Sequence, residues 1–283
     1  MLDWAAQVPW SPLPDVWLMV GALVGGWLWA VLAWAPRQGI RRPVTRGHTI
    51  RFMLGAAVLW AASDWPLHHL AEQLFSLHMA QHMLYALVAA PLLLSGTPSW
   101  LWRALLRPAP VAAAARVVTR PLVAFAIYSA WVAIYHWPAV VNLSVTSEAF
   151  HFLVHVIWVV TALIMWWPVL SPLPELPHLS PPTRMLYVFA HTFIPTVPAA
   201  FLTFASVPLY SAYAGTSAAL GVDVITDQQV AGLLMKIGGG LILWARITVI
   251  FFQWAAQEKR GGPDPLYWRE IERDLSDPQL EVR

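Results

Sequence analysis

The chain has 283 residues, 58% of them apolar and 11% charged, and 17 Lys and Arg against 15 Asp and Glu leave a formal charge of +2. Ordinary soluble domains carry roughly 25% charged residues, so a soluble enzyme is excluded, and so small a basic excess excludes a nucleic-acid-binding surface. There is no cysteine, which removes disulfides, thiolate metal sites and cysteine nucleophiles and leaves His and Met as the soft ligands.

A helix needs about 20 mostly apolar residues to cross the hydrocarbon core. Such stretches lie near 14–36, 50–70, 73–95, 121–138, 147–169, 184–206 and 226–254. They predict an all-α polytopic membrane protein, a seven-transmembrane-helix bundle forming one domain over 1–256, with a tail at 257–283. The first span follows no basic segment and ends in WAPRQGIRR, the pattern of a stop-transfer anchor and not of a cleaved signal. The first loop carries Arg37, Arg41, Arg42, Arg46 and Arg51. The third carries Arg103, Arg107, Arg116 and Arg120, the fifth Arg184, and the tail Lys259, Arg260, Arg269, Arg273 and Arg283. These are fifteen of the seventeen cations, and short loops rich in Lys and Arg stay cytoplasmic. The N-terminus is therefore expected outside and the C-terminus in the cytoplasm. The third loop, SWLWRALLRPAPVAAAARVVTR, reads as an interfacial helix turning its arginines toward anionic lipid headgroups. Tryptophans at span ends, such as Trp65, Trp100, Trp137 and Trp166, fit an interfacial belt.

Seven of the ten histidines gather at the expected outer end: His68, His69, His78, His82, His136, His151 and His155. LHMAQHM sets His78 and His82 one turn apart on one helix face, with Met79 and Met83 repeating the spacing on the next stripe, and FHFLVHV does the same for His151 and His155. Two facing helices could bring four imidazoles to one layer. Polar groups inside spans are costly and usually functional, which points to metal or haem ligation, and imidazoles with thioethers nearby suit copper, Met favouring Cu(I). Asp64, Glu148, Asp223 and Asp227 would give the outer mouth a cation-attracting field. His191, followed by Pro195 and Pro198, is expected to satisfy backbone freed at a kink. Lys236 falls near mid-membrane, where a charge needs a partner, a cavity or a snorkelling path.

LFSLHMAQHMLYALVAAPLLLSGTP at 74–98, YHWPAVVN with HFLVH and WWPVL within 135–170, and DQQVAGLLM at 227–235 together resemble the CtaG-like cytochrome c oxidase assembly factors of bacteria, over about two thirds of the chain. Lys236 departs from the pattern, which leads one to expect an aromatic there. The resemblance implies a multi-pass protein of the bacterial inner (cytoplasmic) membrane, without catalytic residues, that handles copper on the outer side to mature a haem-copper oxidase. Its partners would be an oxidase subunit, a periplasmic copper donor and membrane lipid. Carried over by motif, the metal-handling residues would be His78, Met79, His82, His151, His155 and Asp227, with Met83, His136 and Met235 added. Two alternatives stay open: a copper permease that takes the metal in at the same cluster, and a haem-binding membrane cytochrome with axial ligands from different helices.

Overall fold

The computed structural model describes residues 11–41 and 43–260, and among these no strand occurs. Five helices are long and apolar enough to cross a membrane. They are α1 (Pro14–Arg37), α3 (Phe75–Gly96), α5 (Glu148–Leu170), α6 (Pro181–Phe204) and α7 (Val224–Lys259). A sixth span results if α4 (Pro121–Tyr135) is joined to Ala109–Val118, against which it bends by 84°. The helix expected at 50–70 is α2 (Arg46–Ser63). It starts earlier because Thr45 caps it, accepting from the His48 backbone N–H, and this places Arg46, His48 and Arg51 in its first two turns. It stops at Ser63, and the chain after Pro66 forms the separate short helix Leu67–Ala71. Seven long helices are thus present, but α2 and α4 are shorter or less apolar than the sequence suggested. The third loop folds as two helices, Ser99–Leu105 and Ala109–Val118. Helix α7 runs on past residue 256, and the tail over 261–283 lies outside the described residues.

Successive long helices alternate in direction, so two ends of the bundle can be told apart. At one end the Leu13 N–H donates to Asp64 and the Tyr210 hydroxyl donates to the His136 carbonyl, joining the start of α1 to the end of α2 and the end of α4 to the chain after α6. At the other, Trp100 donates to the Pro43 carbonyl and Arg103 pairs with Glu175 at 2.6 Å, uniting the three arginine-bearing loops' neighbourhood. His68, His69, His78, His82, His136, His151 and His155 lie toward the first end, and the loop arginines, together with His48 and His178, lie at the second.

Helix α3 lies in the middle. One core cluster packs Trp27, Phe52, Leu59 and Ala62 of α1 and α2 against its Tyr85, Ala89 and Leu93. Another packs its Phe75, Met79, Ala86 and Leu94 against α4, α5, α6 and α7. The α2 contact is close because it is built on glycine: a Cβ on Gly96 would run into the Phe52 backbone, the use of small residues by which membrane helices approach.

A wide π-helical turn over Leu84–Ala89 interrupts α3 just after His82. Its cause is Pro91, which has no N–H to give: in the widened register Ala90 N–H bonds the Tyr85 carbonyl and the next carbonyl, Ala86, is left over. The Trp166 indole of α5 donates to it at 2.8 Å. Similarly α6 is broken at 192–195, and there the Thr196 hydroxyl bonds the Thr192 carbonyl, while the Thr192 hydroxyl joins its own N–H on the Phe189 carbonyl.

Substituting Gly96→Val should therefore lower the melting temperature in detergent, the overpacking costing about 1–3 kcal/mol. Gly25→Ala, at a glycine with open space around it, should leave it unchanged; equal melting of the two variants would contradict the close α2–α3 contact.

Candidate metal centre

The site is built on the first turns of α3 and α5. Helix α3 has no cap of its own at Leu74; instead Asp227, at the start of α7, accepts the Phe75 N–H at 2.6 Å and the Ser76 N–H at 3.2 Å. One turn further, His78 and His82 stand with ring centroids 4.3 Å apart, and across from them His151 and His155 of α5 are also 4.3 Å apart. The pairs interleave: His78 stacks on His151 at 5.5 Å and His82 meets His155 at 5.5 Å. His78 and His82 are buried, with His78 fully out of solvent contact.

The hydrogen bonds around His78 determine its tautomer. His78 Nε2 contacts the Tyr135 hydroxyl, which is 3.2 Å from the Ser144 hydroxyl, and Ser144 donates to the Val141 carbonyl. Each hydroxyl has one proton and the carbonyl only accepts. The single assignment that makes all three contacts hydrogen bonds runs His78 Nε2–H to Tyr135, Tyr135 to Ser144, and Ser144 to Val141. His78 Nδ1, His151 Nε2, His155 Nε2 and both ring nitrogens of His82 are buried with no hydrogen-bond partner of ordinary geometry in the protein. A buried donor or acceptor without a partner costs about 1–3 kcal/mol, so these nitrogens are an unusual concentration of unmet ligating capacity.

The four imidazoles do not converge on a common point. Among the described residues, the group of His, Asp and Glu whose ligand atoms all lie within 4.8 Å of one another is His68, Glu72 and His151. His68 Nε2 is 3.5 Å and His69 Nδ1 3.6 Å from the Glu72 carboxylate, and the His68 ring stacks on His151 at 5.4 Å. This triad sits at the mouth, its Glu72 side chain 45% exposed. The imidazoles therefore form a file, from the exposed Glu72 and half-buried His68 through the buried His151 and half-buried His155 to the buried His78 and His82.

The remaining expected ligands lie elsewhere. Met79, Met83, Met235 and His136 line a separate small cavity beneath the file, which His82 borders as well. Asp227 gives each of its oxygens to an α3 amide, and Asp64 and Asp223 are likewise used locally, by the Leu13 N–H and by Thr226. Of the four carboxylates expected to charge the mouth, Glu148 is the one facing the large groove described next. His191 does not serve the α6 break, since both its ring nitrogens lack protein partners and the threonines do that work. The exposed Lys236 donates to Thr196 at 2.7 Å. Sequence reasoning missed Glu72, Tyr135 and Met165. The His68-x3-Glu72 spacing was the one readable signal among them.

Beside the file opens an apolar groove of about 1190 Å³ between α1 and α5, floored by Tyr85 and Leu93 of α3. His68, His151 and His155 border it toward the histidine end and Trp34 and Trp102 toward the arginine end. Helix α1 packs mainly on α2, which leaves this flank uncovered.

The sequence profile of one family, described as cytochrome c oxidase caa3 assembly factor, matches residues 25–257, a stretch holding every imidazole and thioether of the site. The chain belongs to that family. No curated protein and no solved structure matches it. Membership agrees with a multi-pass helical chain, and it attaches the protein to oxidase assembly at the level of the family.

At the mouth, the hydrogen bond from His68 holds the Glu72 carboxyl below its ordinary range, against the opposing effect of burial. Glu72 thus stays ionised as the pH falls, and acid loss of a bound cation comes from protonation of the imidazoles, which bind metal only when neutral. Zn(II) titration of the purified protein should show affinity weakening steadily from pH 7.5 to 5.5. Glu72→Gln should weaken it about tenfold at pH 7.5, or ~1.4 kcal/mol, with the same direction of pH dependence. An affinity indifferent to both would remove the triad as a binding site.

Proposed function

We propose that this caa3 assembly factor accepts copper as cargo at its histidine-rich end, holds it along the imidazole file, and supports metallation of a haem-copper oxidase subunit in the membrane. The observation that carries this reading is the file itself: buried ring nitrogens without protein partners, reached from a His68–Glu72–His151 mouth at which Glu72 is exposed. The donor set fits copper, since imidazole suits that metal and a carboxylate at the mouth attracts the cation. Incomplete convergence suits a carrier, because a metal held by two or three ligands at a time can be passed on. The oxidase subunit and a periplasmic copper donor are the partners this reading requires.

The orientation belongs to the same proposal. The arginine-bearing loops lie at the end opposite the file, and the positive-inside rule then puts the file on the periplasmic side of the bacterial inner membrane, with α1 to α7 as seven spans. The absence of cysteine makes single-cysteine labelling clean. Thr146→Cys, at the histidine end, should react with a membrane-impermeant maleimide in intact spheroplasts, and Arg107→Cys, at the arginine end, should react after permeabilisation alone. The reverse pattern would invert the topology.

For the cargo, full-length protein in mild detergent should bind Cu(I) stoichiometrically under anaerobic conditions. His78→Ala combined with His82→Ala should abolish most of that binding and lower oxidase activity in cells at least tenfold. Normal copper content and oxidase activity in that variant would overturn the reading. The wide groove bordered by His68, His151 and His155 favours one competing reading, a bound haem, since the space is apolar and ample for a porphyrin; a Soret band in the purified protein would establish it in place of copper. Copper uptake into proteoliposomes would instead mark a permease.

A further inference from the structure

The cavity beneath the file has a different chemistry from the file. It measures about 50 Å³ and is lined by Met79 and Met83 of α3, Met165 of α5 and Met235 of α7. Those are four of the eight methionines in the chain, contributed by three helices to one small space. Three imidazoles border it too, His82, His136 and His191.

Methionine alone would be ordinary core filling, because its flexible thioether fits irregular gaps. The imidazoles are what core filling does not explain. His191 is 1% exposed and neither ring nitrogen has a protein partner. Its ring is held by aromatic neighbours, Tyr187 at 4.7 Å and Phe125 at 4.8 Å between centroids, so its position is kept without hydrogen bonds. His136 Nδ1 is 2.7 Å from the Val132 carbonyl. A carbonyl only accepts, so Nδ1 bears the proton and Nε2 the lone pair, and Nε2 has no protein partner. A backbone carbonyl behind the ring is the usual way a metal-binding histidine is oriented. His82, with both nitrogens free of protein partners, borders the cavity and touches His78 and His155 of the file.

No carboxylate lines the cavity, so a divalent ion would bring uncompensated charge into the membrane interior. A monovalent soft cation is matched on both counts: the charge is smaller, and thioethers select Cu(I) over harder ions. We propose that this chamber is a second metal site, a thioether-imidazole site selective for Cu(I) and formed by Met79, Met83, Met165, Met235, His136 and His191, with His82 passing the ion between it and the file. The inference rests on the copper reading of the file and adds to it a deeper store that discriminates by oxidation state.

The test uses full-length protein in mild detergent, loaded anaerobically with Cu(I), with Ag(I) as a redox-inert substitute and Zn(II) as a harder control. X-ray absorption at the copper edge reports the ligand atoms in the unaltered protein, and so does not depend on any variant folding. Sulfur together with nitrogen scatterers is expected, and Met165→Leu combined with Met235→Leu should remove the sulfur signal and weaken Ag(I) binding at least tenfold. His191→Gln should weaken Ag(I) comparably, and Zn(II) binding at the mouth should stay unchanged in both variants. Bound copper with nitrogen scatterers alone, or Ag(I) affinity unaltered in the methionine variant, would overturn the chamber and leave the file's copper reading intact. Sulfur-ligated copper that persists in His151→Ala combined with His155→Ala would support the chamber and count against the file as the obligatory route. Absence of any bound copper would overturn both.

Discussion

The arrangement depends on Asp227. Its carboxylate is 3% exposed and takes two backbone N–H groups at the first turn of α3, where the sequence supplies Leu74 and no side chain able to cap. Hydrogen bonds to an ionised acceptor are the strong class, and the helix N-terminus favours a negative charge. This clamp pins the beginnings of α3 and α7 together, and because both run from the histidine end inward, it sets their mutual register. Counting about 1.5 Å per residue, Met83 and Met235 each lie eight residues, roughly 12 Å, below their side of the clamp. They meet for that reason at the same depth, one layer beneath His78.

Within an apolar surround every polar group must be met from inside the protein, and the chain treats its backbone and its imidazoles differently. The carbonyl left over at Pro91 receives the Trp166 indole, and the Thr192 carbonyl at the α6 break receives the Thr196 hydroxyl. Tyr135 and Ser144 lead the His78 proton to a final carbonyl acceptor. The ring nitrogens of His82, His155 and His191 lack partners, as do the buried indole N–H groups of Trp27, Trp60, Trp65, Trp131 and Trp158, but only the imidazoles can offer a lone pair to a ligand. Their cost is the kind expected of groups kept ready for a ligand.

The same packing separates regions by access. At the mouth the Glu72 side chain is exposed, the file behind it is mostly buried, and the methionine-lined cavity lies beneath the file. The uncovered α1–α5 flank runs alongside the file over much of the bundle's thickness, which places the outer imidazoles next to a surface large enough for another apolar molecule. In this member of the caa3 assembly factor family, the histidine file proposed to hold copper thus adjoins an open apolar flank.

The sequence by itself determined the class of molecule, the approximate positions of its long helices, the gathering of cations and histidines at opposite ends, and the two His pairs, because these follow from hydropathy runs and from spacing along single helices. It also carried the family. Local capping decided the ends of α2, where Thr45 and Pro66 overrode the apolar pattern. Tertiary structure alone decided what the polar residues do. Asp227 resembled a ligand in sequence and is a cap, since the amides it serves are about 150 positions away. Glu72, which the sequence pattern did not single out, stands with His68 and His151. Met79, Met83 and His136 were grouped with the file but face another cavity, joined there by Met165 and His191. Which side chains share a space depends on helix register and rotation, and those were set by the Asp227 clamp, by Gly96 and by the π-helical turn at Pro91, none of which can be summed from residues one helix at a time.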